Sequence, residues 1–239
     1  KFVPDRFGNE NSALFFDGVN DFVEVSMTES LQIEDEITMN LWVNVGYSGD
    51  GNKVIYTYND YYSFDINDGY SGWNGGDSRQ FAWYARAAGG GNAYGLDCCY
   101  YNWDNGRAQQ GEWYMITYSL TKEIIDEEIY YRYRGYYNGE LLNDQLINKG
   151  NQNLPSLNSS LFIGAARQDG WENDYFKGIL DDIRIYDGAL TDEEISDIYS
   201  KEIKGETISL SNSITVPAGE LSSKRSEEHT SELQSPDHL

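Results

Sequence analysis

An all-β fold carrying one short C-terminal helix is what this sequence predicts, on three observations. Short stretches alternate apolar and polar residues with the period of strands. Glycine and tyrosine are abundant, with 24 and 20 residues, while leucine-rich helical runs are few. One stretch near the end carries a complete helix start signal. That stretch, residues 176–200 (FKGILDDIRIYDGALTDEEISDIYS), organises the chain. Over 179–186, Ile183 and Ile185 alternate with Asp182, Arg184 and Tyr186, as in a strand with one face on a core. Asp187-Gly188 closes it with turn chemistry. Thr191 followed by Glu194 is a capping box, and Ile195, Ile198 and Tyr199 form one apolar stripe. A helix this short is unstable alone, so it must lie on a larger body.

The remaining elements follow in order. Residues 13–16 begin the first strand, and Asp17-Gly18-Val19-Asn20-Asp21 is a tight acidic turn into 22–25. Residues 37–44 (ITMNLWVN) place Ile37, Met39, Leu41 and Val43 on one face and Thr38, Asn40, Trp42 and Asn44 on the other. Stretches 53–58 and 62–66 form a hairpin across Asn59-Asp60. Residues 80–85 are a strand flanked by long loops within 67–111, where Gly and Asn crowd with Tyr70, Trp73, Tyr94, Tyr100, Tyr101 and Trp103. Loops of this length are usually functional or mobile. A strand over 113–120, a hairpin over 129–142 turning at Asn138-Gly139, and a strand over 161–164 complete the body. After Lys204 the pattern changes, so 1–204 is expected to form one domain and 205–224 a linker or the start of a truncated second β unit.

Composition narrows the partners. A net charge of −23 excludes a nucleic-acid binder, because no basic stripe exists to neutralise phosphates. An acidic surface suits cations, and carboxylates converging in loops suit calcium, although the same charge also serves solubility. No apolar run approaches the roughly 20 residues of a membrane helix, so no membrane insertion is expected. The chain begins at Lys1 without Met or a signal peptide and reads as cut from a longer precursor. Residues 225–235 (RSEEHTSELQS) resemble the translation of a common sequencing adapter, which implies that 225–239 is a disordered artefact outside the fold. Both histidines, His229 and His238, lie in that tail. Removing it removes Ser-His-Asp and Cys-His machinery from consideration.

Several of these stretches resemble one family. Gly178, Ile179, Leu180, Asp181, Asp182, Ile183, Arg184, Ile185 and Tyr186, followed by Ala189, Leu190, Thr191, Glu194 and Ile195, are similar to the closing segment of laminin-G-like, concanavalin A-like and pentraxin-like domains of secreted bacterial proteins. DRFGNENSALFFDGVNDFVEV resembles their opening, and ITMNLWVN, WYMITYSL and LFIG resemble internal strands. The resemblance implies a two-sheet antiparallel jelly-roll sandwich, concanavalin A-like, acting outside the cell as a secreted or cell-surface module. A sandwich hides alternate residues in a common core, which the strand patterns independently require.

Three chemistries follow. By resemblance, a structural calcium is expected where the first turn meets the last strand, with Asp181 supplying a carboxylate and Asp17, Gly18 and Asp21 adding oxygens. On their own, the same acids read equally as caps of their turn and as acceptors between strands. Exposed aromatic planes flanked by Asn, Asp or Gln suit the apolar faces of sugar rings, which points to Trp73, Tyr70, Trp103, Tyr101 and Trp171 as a glycan or polysaccharide site. Binding of other surface proteins is the competing use of that surface. Catalysis has the least support, since related glucanases carry E-x-D-x-x-E on one strand and no strand here shows it. Glu123, Asp126, Glu127 and Glu128 cluster in another order. Adjacent Cys98 and Cys99 read as buried thiols, with a vicinal disulfide as the alternative. The expected protein is therefore a monomeric, calcium-stabilised, non-catalytic lectin-like module, with an adhesion or spacer domain as the alternative.

Overall fold

Alternation in the strands sends every second side chain inward, and two sheets are the arrangement that buries all those faces at once. The computed structural model describes residues 1–46, 52–57, 62–68, 79–85, 96–98, 111–150, 160–165, 175–206 and 213–215. Among these the strands are β1 (Phe2–Val3), β2 (Ala13–Asp17), β3 (Val23–Val25), β4 (Glu36–Val45), β5 (Asn52–Thr57), β6 (Tyr62–Asp68) and β7 (Arg79–Ala85). They continue with β8 (Leu96–Cys98), β9 (Trp113–Ile125), β10 (Glu128–Tyr137), β11 (Glu140–Gly150), β12 (Leu161–Ile163), β13 (Lys177–Asp187) and β14 (Ser213–Thr215). A single α-helix among the described residues, α1 (Asp192–Glu202), follows β13.

The first sheet runs β1-β2-β13-β4-β9-β10-β11, with β14 also on β13. The second runs β3-β12-β5-β6-β7-β8. Every pairing is antiparallel, as the resemblance implied for a jelly roll. The two ends of the domain meet as neighbouring strands, Phe16 opposite Gly178 and Leu14 opposite Leu180. On the same edge of β13, β14 pairs with Arg184–Tyr186, so Ser213–Thr215 extends this sheet within the stretch expected to open a second unit.

The core lies between the sheets. Ile37, Met39, Leu41 and Val43 from β4 join Phe16, Ile116, Leu120, Tyr131, Leu161, Phe176, Leu180 and Ile185 there. The opposite face of β4 is buried too, which exceeds simple alternation. Helix α1 lies over it, packing Ile195 and Ile198 against Trp42, Met115, Tyr136 and Tyr186. Trp42 stacks on Tyr199 at 5.8 Å. The predicted capping box forms: Thr191 Oγ1 accepts from the Glu194 N–H at 3.2 Å, and the Thr191 N–H donates to Glu194 Oε2 at 2.8 Å. The acidic run at 123–128 falls at a hairpin tip, where Asp126 and Glu127 take φ of 52° and 66° between β9 and β10.

Candidate functional site

Strand direction decides which loops are neighbours. The antiparallel register of the second sheet sets Ile163 opposite Val23 and Ile55, and Asp68 opposite Arg79. β8 runs from Leu96 opposite Ala85 to Cys98 opposite Trp83, toward the same end. In the first sheet, Asp17 faces Lys177, Val45 faces Gly178, and Trp113 faces Asn44. The connections 18–22, 46–51, 69–78, 99–112 and 164–176 therefore all leave from one end of the sandwich. Tyr70 and Trp73 belong to the third of these, Tyr101 and Trp103 to the fourth, and Trp171 to the fifth. Those five residues lie outside the described residues. The strands that flank those connections are described, and they end toward the same end of the sandwich. Cys98 ends β8, and Cys99 lies outside the described residues.

The acidic turn stands at that same end. Asp17 Oδ1 accepts the N–H groups of Val19 at 2.8 Å and Asn20 at 3.4 Å, and Asp21 Oδ2 accepts the Asp17 N–H at 3.1 Å. Both carboxylates thus close their own turn, and Gly18 sits against the Lys177 side chain.

Asp181 is elsewhere. Register puts Asp17 beside Lys177, four residues along β13, so about 13 Å of strand separates it from Asp181. Metal–oxygen bonds of roughly 2.3–2.6 Å cannot bridge that span, so the turn and Asp181 do not form one calcium site as placed. No three His, Cys, Asp or Glu side chains converge as a metal site among the described residues. The partner of Asp181 is Arg6, a contact the sequence reading missed. Arg6 Nη1 donates to Asp181 Oδ2 at 2.6 Å and Nη2 meets Asp182 Oδ2 at 2.8 Å. The guanidinium lies 4.5 Å from the Trp42 ring centroid and 4.6 Å from that of Phe7.

This pairing extends into a closed cluster. Arg184 Nη2 reaches Asp182 Oδ1 at 3.2 Å, and Arg184 Nη1 pairs with Glu202 Oε1. Trp42 Nε1–H donates to Glu202 Oε2 at 2.6 Å, which brings the chain of contacts back beneath Arg6. A bulge makes it possible: Asp181 opposes Trp42 while Arg184 opposes Asn40, and Asp182 takes φ of 46°. Three carboxylates thus surround two guanidinium groups. Burial pushes the Asp181 carboxyl up to about 6, with the Asp182 charge adding to it and Arg6 opposing it. Burial also raises Glu202, against the pull of Arg184 and the Trp42 N–H.

The laminin-G-type profile of the concanavalin A-like lectin/glucanases superfamily matches residues 17–196, so the chain belongs to that superfamily. No curated protein matches the chain. Among solved structures it is similar to a native heptameric SAP-like pentraxin from Limulus polyphemus, at 14% identity and a TM-score of 0.54 over 77% of this chain and 80% of that one. It is also similar to domain 4 of AbnA, a GH43 extracellular arabinanase from Geobacillus stearothermophilus in complex with arabinotriose. That match has 19% identity and a TM-score of 0.51 over 78% and 76% of the two chains. A third, the K499G mutant of the NanB sialidase from Streptococcus pneumoniae, matches at 16% identity and a TM-score of 0.52. It covers 84% of this chain but 28% of that one. At such identities the likeness establishes the shared fold.

Proposed function

We propose that this chain is a non-catalytic, lectin-like carbohydrate-binding module of a larger secreted or cell-surface protein. Its sugar site would be built from Tyr70, Trp73, Tyr101, Trp103 and Trp171. The observation that carries the reading is the common end from which 69–78, 99–112 and 164–176 leave the sheets. Aromatic residues scattered over a hundred positions of sequence belong to connections that leave the second sheet toward the same end, from β12, β6 and β8 with β5 and β7 between them. Flat rings of this kind stack on the C–H faces of pyranose or furanose rings, and the interleaved Asn, Asp and Gln supply hydroxyl partners. Membership of a lectin and glucanase superfamily agrees with such use, and a domain of the same fold in an arabinanase has been solved with arabinotriose. Among the described residues no helix is long and apolar enough to cross a membrane.

Affinity electrophoresis of the full chain through gels containing arabinan, β-glucan and other polysaccharides tests the reading. Retardation by at least one glycan, lost in Trp73→Ala and Trp103→Ala, is the expected result. Unretarded migration in every gel would instead favour an adhesion or spacer domain that binds protein. Release of reducing sugar by purified protein would overturn the non-catalytic part.

A further inference from the structure

We infer that the Arg6 guanidinium is the resident cation of the β13 bulge and that this cluster takes no divalent ion. Two carboxylates on consecutive residues, Asp181 and Asp182, would ordinarily point to opposite faces of a strand. The bulge at Asp182 turns both toward Arg6, which meets one oxygen of each at 2.6 and 2.8 Å. Such a fork matches the planar donor geometry of arginine, and the arginine side chain is only 8% exposed. Trp42 and Phe7 both lie against the guanidinium, placing apolar rings where an ion would need further oxygens. The remaining oxygens are also committed, Asp181 Oδ1 to the Asp182 N–H and Asp182 Oδ1 to Arg184.

The source of the two outer partners adds a second argument. The family match spans residues 17–196, and Asp181, Asp182, Arg184 and Trp42 all lie inside it. Arg6 precedes the match and Glu202 follows it. The segments flanking the family region therefore supply the cation at one side of the cluster and the carboxylate at the other. They act as two straps over the middle of β13, and the acids of the closing motif are neutralised by this chain's own N-terminal arm.

Terbium(III), a hard trivalent ion whose emission is sensitised by nearby tryptophan, is the probe, because Trp42 borders the cluster. The full chain and its Asp181→Asn variant are predicted to give superimposable terbium isotherms, whatever ions the rest of this acidic protein collects. Sensitised emission that collapses in Asp181→Asn would overturn the inference. Arg6→Met provides the second arm, and is usable even where Asp181→Asn fails to fold. Its melting temperature in EDTA is predicted to fall by about 10 °C, because two carboxylates lose their buried partner. A melting temperature equal to that of the wild type would equally contradict the inference. Failure of glycan binding would leave both outcomes unaffected, so the two proposals stand or fall separately.

Discussion

Replacing Gly164 by alanine probes how the loop end is held to the core. Gly164 follows β12 directly and opens the connection that contains Trp171. Its φ is +87°, a conformation that costs an L-residue about 1–2 kcal/mol. A Cβ there would also stand 2.3 Å from Phe16 Cε1 and 2.4 Å from Cδ1. Phe16 is 2% exposed and packs edge-on against Phe176 at 5.8 Å, so the ring has little room to retreat. Overpacking of this kind adds about 1–3 kcal/mol, giving a total of roughly 2–5 kcal/mol. Urea denaturation followed by tryptophan fluorescence would measure it as a lower midpoint at unchanged slope. In a Phe16→Val background, where the colliding ring atoms are gone, the same substitution should cost only the backbone share of about 1–2 kcal/mol. A Gly164→Ala protein as stable as wild type would refute the close approach of β12 to the first sheet. Equal losses in both backgrounds would refute the steric share.

Two further outcomes are expected. Thr191→Ala removes the acceptor for the Glu194 N–H and should cost about 1 kcal/mol, read as a melting temperature some 2–4 °C lower; no change would mean that α1 does not depend on its cap. The pH profile should carry the mark of the β13 cluster. Asp181 is raised to about 6 in the folded chain, above its ordinary value, so protonation favours the folded state. Its contribution is therefore greatest below the ordinary carboxylate range and is lost as pH rises through about 6. Arg6 and Asp5 face it from the N-terminal arm, Asp182 lies beside it on β13, and Arg184 and Glu202 complete the cluster. Relative to Asp181→Asn, the wild type should gain on the order of 2 kcal/mol between pH 7 and pH 4. A difference between the two proteins that stays flat with pH would contradict this.

Much of the architecture could be read from local pattern. ITMNLWVN alternates because every second residue of β4 turns into the core between the sheets, and the closing motif supplied both β13 and the cap of α1. The pairing of the first and last segments was likewise expected. What local pattern could not supply was register. The tie between Arg6 and Asp181 spans 175 positions and depends on a one-residue bulge, which alternation reads straight through. The arm's single arginine, set between Asp5 and Phe7, was the available signal. The second burial of β4, at Thr38, Asn40 and Trp42, arises because α1 folds back over that face, a tertiary event with no trace in the strand itself. For the proposed sugar site the reverse holds: composition named the aromatic residues, and strand direction showed that the connections containing them leave toward one end.

Carbohydrate binding through the proposed aromatic loops is open to direct measurement. Isothermal titration of an oligosaccharide cut from the polysaccharide that retards the wild type tests it most directly, comparing the full chain with Trp73→Ala and Trp103→Ala. A saturable isotherm is expected for the wild type and at least a roughly tenfold weaker one for each variant, a loss of about 1.4 kcal/mol or more. Equal affinity in all three proteins would place the binding surface elsewhere and contradict the account.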